Sequence, residues 1–208
     1  GEVVTIQNQQ GKWLQIHKSF IYFTNNTKEF GENYTIEFDA ILKLKNNGWG
    51  FPELYFGVLS SGSLTTTDNS LLKEYSQNAS VTATILPGAA SVSRLKLESK
   101  VDNKSYFNSS AKDYKELENY YGKPVHVAIQ VQKERFRIWV NEVKAFDAPK
   151  SVPTEYKMNQ LFFKLSHTNY AETDYGIFIS NIKVATGVPD TRHKLIEEGK
   201  FSTTGILF

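Results

Sequence analysis

Short segments in which apolar and polar residues alternate run along most of the chain. The clearest example lies between Pro124 and Phe146. Every second position there is apolar: Val127, Ile129 and Val131, then, after a four-residue QKER connection, Phe136, Ile138 and Val140. A second turn at Asn141 and Glu142 leads into another short segment. A period of two with such short connections predicts three antiparallel strands, whose apolar face needs a second sheet to cover it.

The same alternation predicts strands on both sides of this meander. The longest is Tyr34 to Lys45, with Ile36 and Phe38 facing one way and Glu37 and Asp39 the other. A helical composition at Ala111 to Tyr121 predicts one short helix. Further strands are predicted at residues 3–6, 12–16, 20–23, 53–60, 79–86, 92–99, 158–167 and 176–184. About a dozen strands at this spacing favour an all-β sandwich.

Composition and charge narrow the classes of function. Lys and Arg total 24 and Asp and Glu total 22, a formal charge of +2 spread along 208 residues. Because the sequence has no block of basic residues, its charge distribution does not indicate nucleic-acid binding. The absence of cysteine excludes disulfides, thiol catalysis and cysteine-based zinc sites. No apolar run reaches the length of a transmembrane segment.

Three motifs resemble concanavalin A-like and laminin-G-like jelly-roll domains. They are HVAIQVQKERFRIWVNEVKAF in the meander, YTIEFDAIL in the long strand, and GIFISNIKVATG near residue 180. One departure is Glu142, where the family usually has the glycine of an Asn-Gly turn. The resemblance implies an antiparallel two-sheet jelly roll over residues 1–187.

The tail DTRHKLIEEGKFSTTGILF is similar to a junction in OmpA-like envelope proteins of Bacteroidetes. There, a helical turn leads into the first strand of a peptidoglycan-binding domain. The resemblance implies that residues 188–208 are a linker and the start of such a domain. It also implies peptidoglycan as a partner through that domain, and a periplasmic or outer-membrane location in a bacterial cell envelope.

Candidate catalytic groups are sparse in the sequence. Glu37 and Asp39 share one face of a strand, and concanavalin-like glycosidases carry a third carboxylate two or three residues later. Ile41 and Leu42 stand at those positions, so the pattern lacks a partner and predicts a solvated strand face. The four histidines lack the spacing of metal ligands and are interpreted as ordinary strand or surface residues.

Sugar binding needs flat aromatic faces beside hydrogen-bonding groups. Trp49 lies between two glycines in a loop, and Trp139 lies on the polar face of the meander with Arg135 and Arg137. The alternative for Trp49 is that it caps an open end of the sandwich. The alternative for the arginines is that the aliphatic parts of their side chains cover the sheet surface. The predicted carbohydrate-binding set is Trp49, Phe51, Trp139, Arg137, Tyr170 and Tyr175.

The polar loop from His167 to Tyr175 offers oxygen ligands to calcium. Asn169, Glu172 and Asp174 are the candidate ligands, and an exposed polar loop explains the same residues without an ion. No other cofactor is predicted.

These patterns predict a non-catalytic, extracytoplasmic module that binds a glycan or envelope polysaccharide or has a structural role. Two alternatives stay open. One is a glycoside hydrolase or lyase of the concanavalin-like group, which a cleft with two carboxylates would favour. The other is a structural spacer or protein-interaction domain without a sugar site.

Overall fold

A computed structural model describes residues 5–8, 11–24, 28–44, 52–62, 78–88, 92–172 and 174–187. Nearly all regular structure in these residues is β-strand. The described strands are β1 Thr5–Asn8, β2 Gly11–Ile16, β3 Ile21–Phe23, β4 Asn33–Leu44, β5 Leu54–Ser60, β6 Ala79–Leu86, β7 Arg94–Val101, β8 Lys104–Asn108, β9 Lys112–Asp113, β10 Pro124–Gln132, β11 Arg135–Val140, β12 Val143–Ala148, β13 Gln160–Leu165 and β14 Tyr175–Thr186. A 3₁₀ helix spans Lys115–Asn119.

The strands form two antiparallel sheets. The front sheet has the order β1-β2-β14-β4-β10-β11-β12, and the back sheet has the order β3-β13-β5-β6-β7-β8, with β9 also paired to β7. The β10-β11-β12 meander forms one side of the front sheet, as its short connections predict. Strand β14 returns from the end of the described chain to pair with both β2 and β4. The sheet therefore joins segments that are far apart in sequence.

The core lies between the two sheets and is built from the apolar face of each strand. Ile36 and Phe38 of β4 are at most 1% exposed, as the alternation predicts. The ring of Phe38 makes edge-to-face contacts with two rings of the back sheet. The ring centroids are 5.5 Å apart for Phe56 and 5.0 Å apart for Phe163. Such contacts between aromatic rings add to the free energy of apolar burial, so this cluster ties the sheets together.

The two-sheet jelly-roll sandwich predicted from the sequence is confirmed, while some elements differ from the prediction. The predicted helix at Ala111 to Tyr121 shortens to one 3₁₀ turn, because Lys112 and Asp113 pair with β7 instead. Strand β8 was missed, since four of its five residues are exposed and its sequence carries no alternation. The predicted strand at residues 3–6 lies partly outside the described residues, and the tail 188–208 lies wholly outside them.

Three β-bulges interrupt the registers of the described strands. They lie between β11 and β12 at Ile138/Trp139, between β7 and β8 at Ser99/Lys100, and between β14 and β4 at Ser180/Lys183. The first two are in pairs that include the last strand of a sheet. None of the helical residues that the structure describes forms a segment with the length and hydropathy of a membrane span.

Candidate functional site

The outer face of the front sheet, which points away from the back sheet, carries a group of polar side chains that could act on a ligand. Strand pairing places Glu37 of β4 opposite Ala128 of β10, and Ala128 opposite Trp139 of β11. The methyl group of Ala128 leaves the carboxylate and the half-buried indole on either side of a small central residue. His126 and Gln130 are the next outward positions on β10.

His126 joins two acidic side chains on this face. Its Nδ1 lies 2.9 Å from Oδ1 of Asp39, and its Nε2 lies 3.7 Å from Oε2 of Glu37. The imidazole side chain is 45% exposed, so solvent and ligands can reach it. Both ring nitrogens therefore face a carboxylate, Nδ1 that of Asp39 and Nε2 that of Glu37.

A bulge in β14 fixes the position of Asp39. Asn181 adopts φ +52°, in the left-handed region, at the register shift after Ser180. This conformation directs the Asn181 side chain so that Nδ2 donates to Oδ2 of Asp39 at 2.6 Å. Bulges and left-handed non-glycine residues often orient side chains at functional sites, because their local cost needs a compensating contact.

A second group of charges lies on β11 and β12, beside the first. Arg135 donates to both oxygens of Asp147, from Nε at 2.7 Å and from Nη2 at 2.8 Å. Lys144 donates to the same carboxylate at 3.0 Å. The hydrogen bond from Arg135, aided by Lys144, lowers the pKa of Asp147 to about 2, although burial acts in the opposite direction.

Arg137 lies between this carboxylate and β10. Its Nε is 3.8 Å from Oδ1 of Asp147, while its Nη1 donates to the side-chain oxygens of Gln130 at 2.8 Å and Gln132 at 3.3 Å. The two amides hold Nη1 of the guanidinium, on the strand that also carries Trp139. The structure therefore places predicted residues Trp139 and Arg137 on one surface.

The other predicted aromatic residues do not join that surface. Tyr175 is 5% exposed and packs in the core, and burial raises its pKa to about 12. Its hydroxyl is buried without a hydrogen-bond partner in the described structure. Tyr175 therefore has no ring face for a sugar, and its place in the predicted set is corrected. Trp49 and Phe51 lie outside the described residues.

Tyr170 is 36% exposed, but it lies far from Trp139. Its loop enters β14 and packs against the end of β2, where Lys18 donates to the carbonyl oxygens of Thr168 and Tyr170. Two strands separate β14 from β11, a distance of about 14 Å at ~4.8 Å per strand. Tyr170 therefore does not belong to the outer-face site.

One of the candidate calcium ligands of this loop, Glu172, has partners within the protein. Glu172 accepts from Nδ1 of His17 at 2.9 Å and from the backbone N–H of Lys18 at 3.4 Å. Asn169 is exposed and Asp174 is half-buried. Within the described residues, no group of three or more acidic or histidine side chains is placed to hold a metal ion. Calcium binding stays a prediction.

Sequence reasoning missed the grouping of Glu37, Asp39 and His126. It interpreted the carboxylates as a solvated strand face and the histidine as an ordinary residue. Asp39 and His126 are 87 positions apart and meet because β4 pairs with β10 in one register. No local pattern carries that register, so a single sequence offers no signal for the cluster.

Comparison with solved structures supports the fold assignment. Sheep galectin-11 matches with a TM-score of 0.51 and 10% identity, over 81% of this chain and 98% of that one. A variant of the alginate lyase Aly36B, in complex with an alginate trisaccharide, matches with a TM-score of 0.50 and 11% identity, over 89% and 85%. A family 16 endo-glucanase from Bacteroides ovatus matches with a TM-score of 0.50 and 12% identity, over 88% and 84%. No family model and no curated protein sequence matches the chain.

The comparisons overturn one prediction from the sequence, that the chain is not an enzyme. The matching structures include a lyase and a glucanase as well as a galectin, so the architecture does not separate binding from catalysis. At 10–12% identity the likenesses establish the fold and leave the reaction undecided. The chain has the concanavalin A-like jelly-roll fold that its motifs resemble.

Proposed function

We propose that the outer face of the front sheet binds carbohydrate, with Trp139 as its central contact. The observation that carries the proposal is the position of Trp139, across Ala128 from Glu37 and next to Arg137 along β11. A pyranose ring has an apolar face and a rim of hydroxyl groups, so it needs an aromatic surface bordered by donors and acceptors. The described residues bring both together here.

The polar groups around Trp139 suit hydroxyl recognition. Glu37 accepts hydrogen bonds, and Arg137 donates them. Asp39 and Asn181 hold His126 in place before a ligand arrives, which limits the entropy lost on binding. Binding of this kind is a step that a lectin, a hydrolase and a lyase share, so the proposal applies to each.

Replacing the indole tests the proposal. We expect Trp139→Ala to weaken binding at least tenfold, because loss of a stacking surface removes about 1.4 kcal/mol or more. Affinities would be measured by calorimetry on ligands found with a glycan array. Tyr106→Ala is the matched control, since Tyr106 is a 49% exposed aromatic residue on β8 of the back sheet.

Two results would refute carbohydrate binding at this face. One is an array on which the intact protein binds no glycan, which would favour the structural spacer or protein-interaction domain. The other is an equal loss of affinity in Trp139→Ala and Tyr106→Ala. Unchanged thermal unfolding of both variants would show that neither loss comes from misfolding.

A second candidate function is glycoside hydrolysis, favoured by the pair Glu37 and Asp39. Both carboxylates contact the same imidazole ring, so they lie close together on the sheet face, and glycosidases act through a pair of neighbouring carboxyl groups. If they act as acid and base, Glu37→Gln should abolish release of reducing ends from a bound polysaccharide while the affinity stays within a few-fold. Absence of any release by the intact protein, on every polysaccharide that it binds, would exclude this candidate.

We propose separately that the protein belongs to a bacterial cell envelope of the OmpA-like type and meets peptidoglycan through a further domain. Only the resemblance of the tail, residues 190–208, supports this setting, and the tail lies outside the described residues. An antibody against residues 92–172 should detect the protein in the envelope fraction of its source cells. The protein should also remain bound to peptidoglycan isolated from that fraction. Recovery in the cytosolic fraction alone would refute it.

A further inference from the structure

Positive charge exceeds negative charge on the β11-β12 side of the outer face. Four charged side chains form this basic cluster: Arg135, Arg137, Lys144 and Asp147. Three are cations that share a single carboxylate, so the cluster keeps a surplus of two positive charges. The low pKa of Asp147 has the same origin, because the neighbouring cations stabilise its ionised form.

The turns that border the cluster leave this surplus in place near Arg137. Lys133 and Glu134, in the turn before β11, carry opposite charges. Glu142 lies in the turn after β11, at the end of that strand away from Arg137 and two residues before Lys144. Neither turn supplies a net negative charge beside the guanidinium.

Arg137 is less exposed than Arg135 and Lys144, but in the described structure it keeps a guanidinium nitrogen without a partner. Gln130 and Gln132 engage its Nη1, and its Nε is 3.8 Å from Asp147. Within the described part of the chain, its Nη2 has no hydrogen-bond partner, and the side chain is 20% exposed. A guanidinium that donates to neutral amides keeps its full charge, and its remaining N–H groups can donate to an anion.

The adjoining part of the face carries the opposite charge. Glu37 and Asp39 contribute two negative charges on β4, and Lys183, opposite Glu37 on β14, contributes one positive charge. An anionic ligand group is therefore repelled from the β4 side and attracted to the β11-β12 side. Trp139 lies between the two, about 7 Å along β11 from Arg137.

We propose that the basic cluster binds the anionic group of an acidic glycan, a carboxylate or a sulfate ester, while a sugar ring of the same glycan stacks on Trp139. The inference deepens the proposed carbohydrate site and rests on it. Arg137 donates to the anionic oxygens, and Arg135 and Lys144 supply the surrounding positive field. The ligand class is thus an acidic polysaccharide rather than a neutral one.

Matched pairs of polymers test the charge requirement. Polygalacturonate is compared with its methyl ester, and dextran sulfate with dextran, by calorimetry at two salt concentrations. We expect the acidic member of at least one pair to bind ten times more tightly or better, with an affinity that falls as salt rises. The pair with the larger ratio identifies the group as carboxylate or sulfate.

A charge-matched pair of variants tests the position. Arg137→Gln should lose about tenfold in affinity for the acidic polymer and nothing for its neutral counterpart, because a charge-assisted contact is removed. Arg94→Gln makes the same change in net charge at an exposed position on β7 of the back sheet and should leave both affinities unchanged.

Distinct outcomes separate this inference from the proposed function. If acidic and neutral polymers bind equally and Trp139→Ala weakens both, the acidic preference is refuted and the carbohydrate site stands. If Arg94→Gln weakens binding as much as Arg137→Gln, the attraction is non-specific and the inference is also refuted. If the protein binds none of the polymers and no glycan on the array, both proposals fail.

Discussion

Asp147 shows how much one position on an exposed sheet face can be constrained by its neighbours. Its carboxylate accepts two hydrogen bonds from Arg135 and one from Lys144. Strand pairing puts Asp147 on the same face as Arg137, and the bulge between β11 and β12 brings Lys144 onto that face as well. The strength of the contact depends on side-chain geometry. A bidentate arginine–carboxylate pair is stronger than an ordinary surface ion pair.

The stabilisation from Asp147 should depend on pH. Its pKa falls from an ordinary value of 3.8 to about 2 in the folded protein. The contribution is therefore complete above pH 3.8 and is lost as the pH falls towards 2. Solvent screening limits it to about 1 kcal/mol, because the side chains of the pair are partly exposed.

Urea unfolding of the intact protein and of Asp147→Asn would measure this contribution. We expect the variant to be less stable by about 1 kcal/mol at pH 7 and the difference to shrink towards zero at pH 2. A difference of the same size at both pH values would show that the carboxylate charge is not its cause.

At the scale of elements, the turns carry most of the backbone strain that the structure shows. Asn141 and Glu142 both have positive φ, 46° and 69°, between β11 and β12. This matches the two-residue type I′ turn that suits the twist of antiparallel strands. Asparagine tolerates the left-handed region, whereas glutamate does so at a cost that glycine avoids.

Glu142→Gly should therefore stabilise the protein by about 0.5–1 kcal/mol, since relief of strain exceeds the added entropy of the unfolded chain. Thermal or urea unfolding would measure the change. Glu142→Ala is the control, because it removes the same charge and keeps a Cβ in the left-handed conformation. Equal stabilisation by both variants would attribute the effect to charge instead.

The alternation in the sequence predicted the strands that have one buried face and failed where that contrast is absent. Strand β4 was predicted almost in full because Ile36 and Phe38 are buried between outward-facing carboxylates. Strand β8 was not, because its side chains are mostly exposed on both faces. The same rule placed Trp139 outward correctly, but it gave no means to recognise that Tyr175, beside a polar loop, is a core residue.

At the scale of the whole molecule, the order of strands decides which side chains meet. Two-sheet architecture followed from the number and spacing of apolar segments, and the solved structures confirm it. The placement of β14 between β2 and β4 joins residues more than 130 positions apart and follows from no local signal. Asn181, Asp39 and His126 come together only through this order, so the candidate site had to be found in three dimensions.

The bulges opposite Trp139 and Lys100 have a consequence for how molecules of this protein meet one another. Each bulge interrupts the pairing of an edge strand of the described sheets, β12 in the front sheet and β8 in the back sheet. At either edge the backbone amide and carbonyl groups are out of register with those of a regular strand. A neighbouring chain therefore pairs poorly with this edge as an additional strand. At high concentration, the bulges therefore protect the protein from edge-to-edge aggregation through β12 and β8.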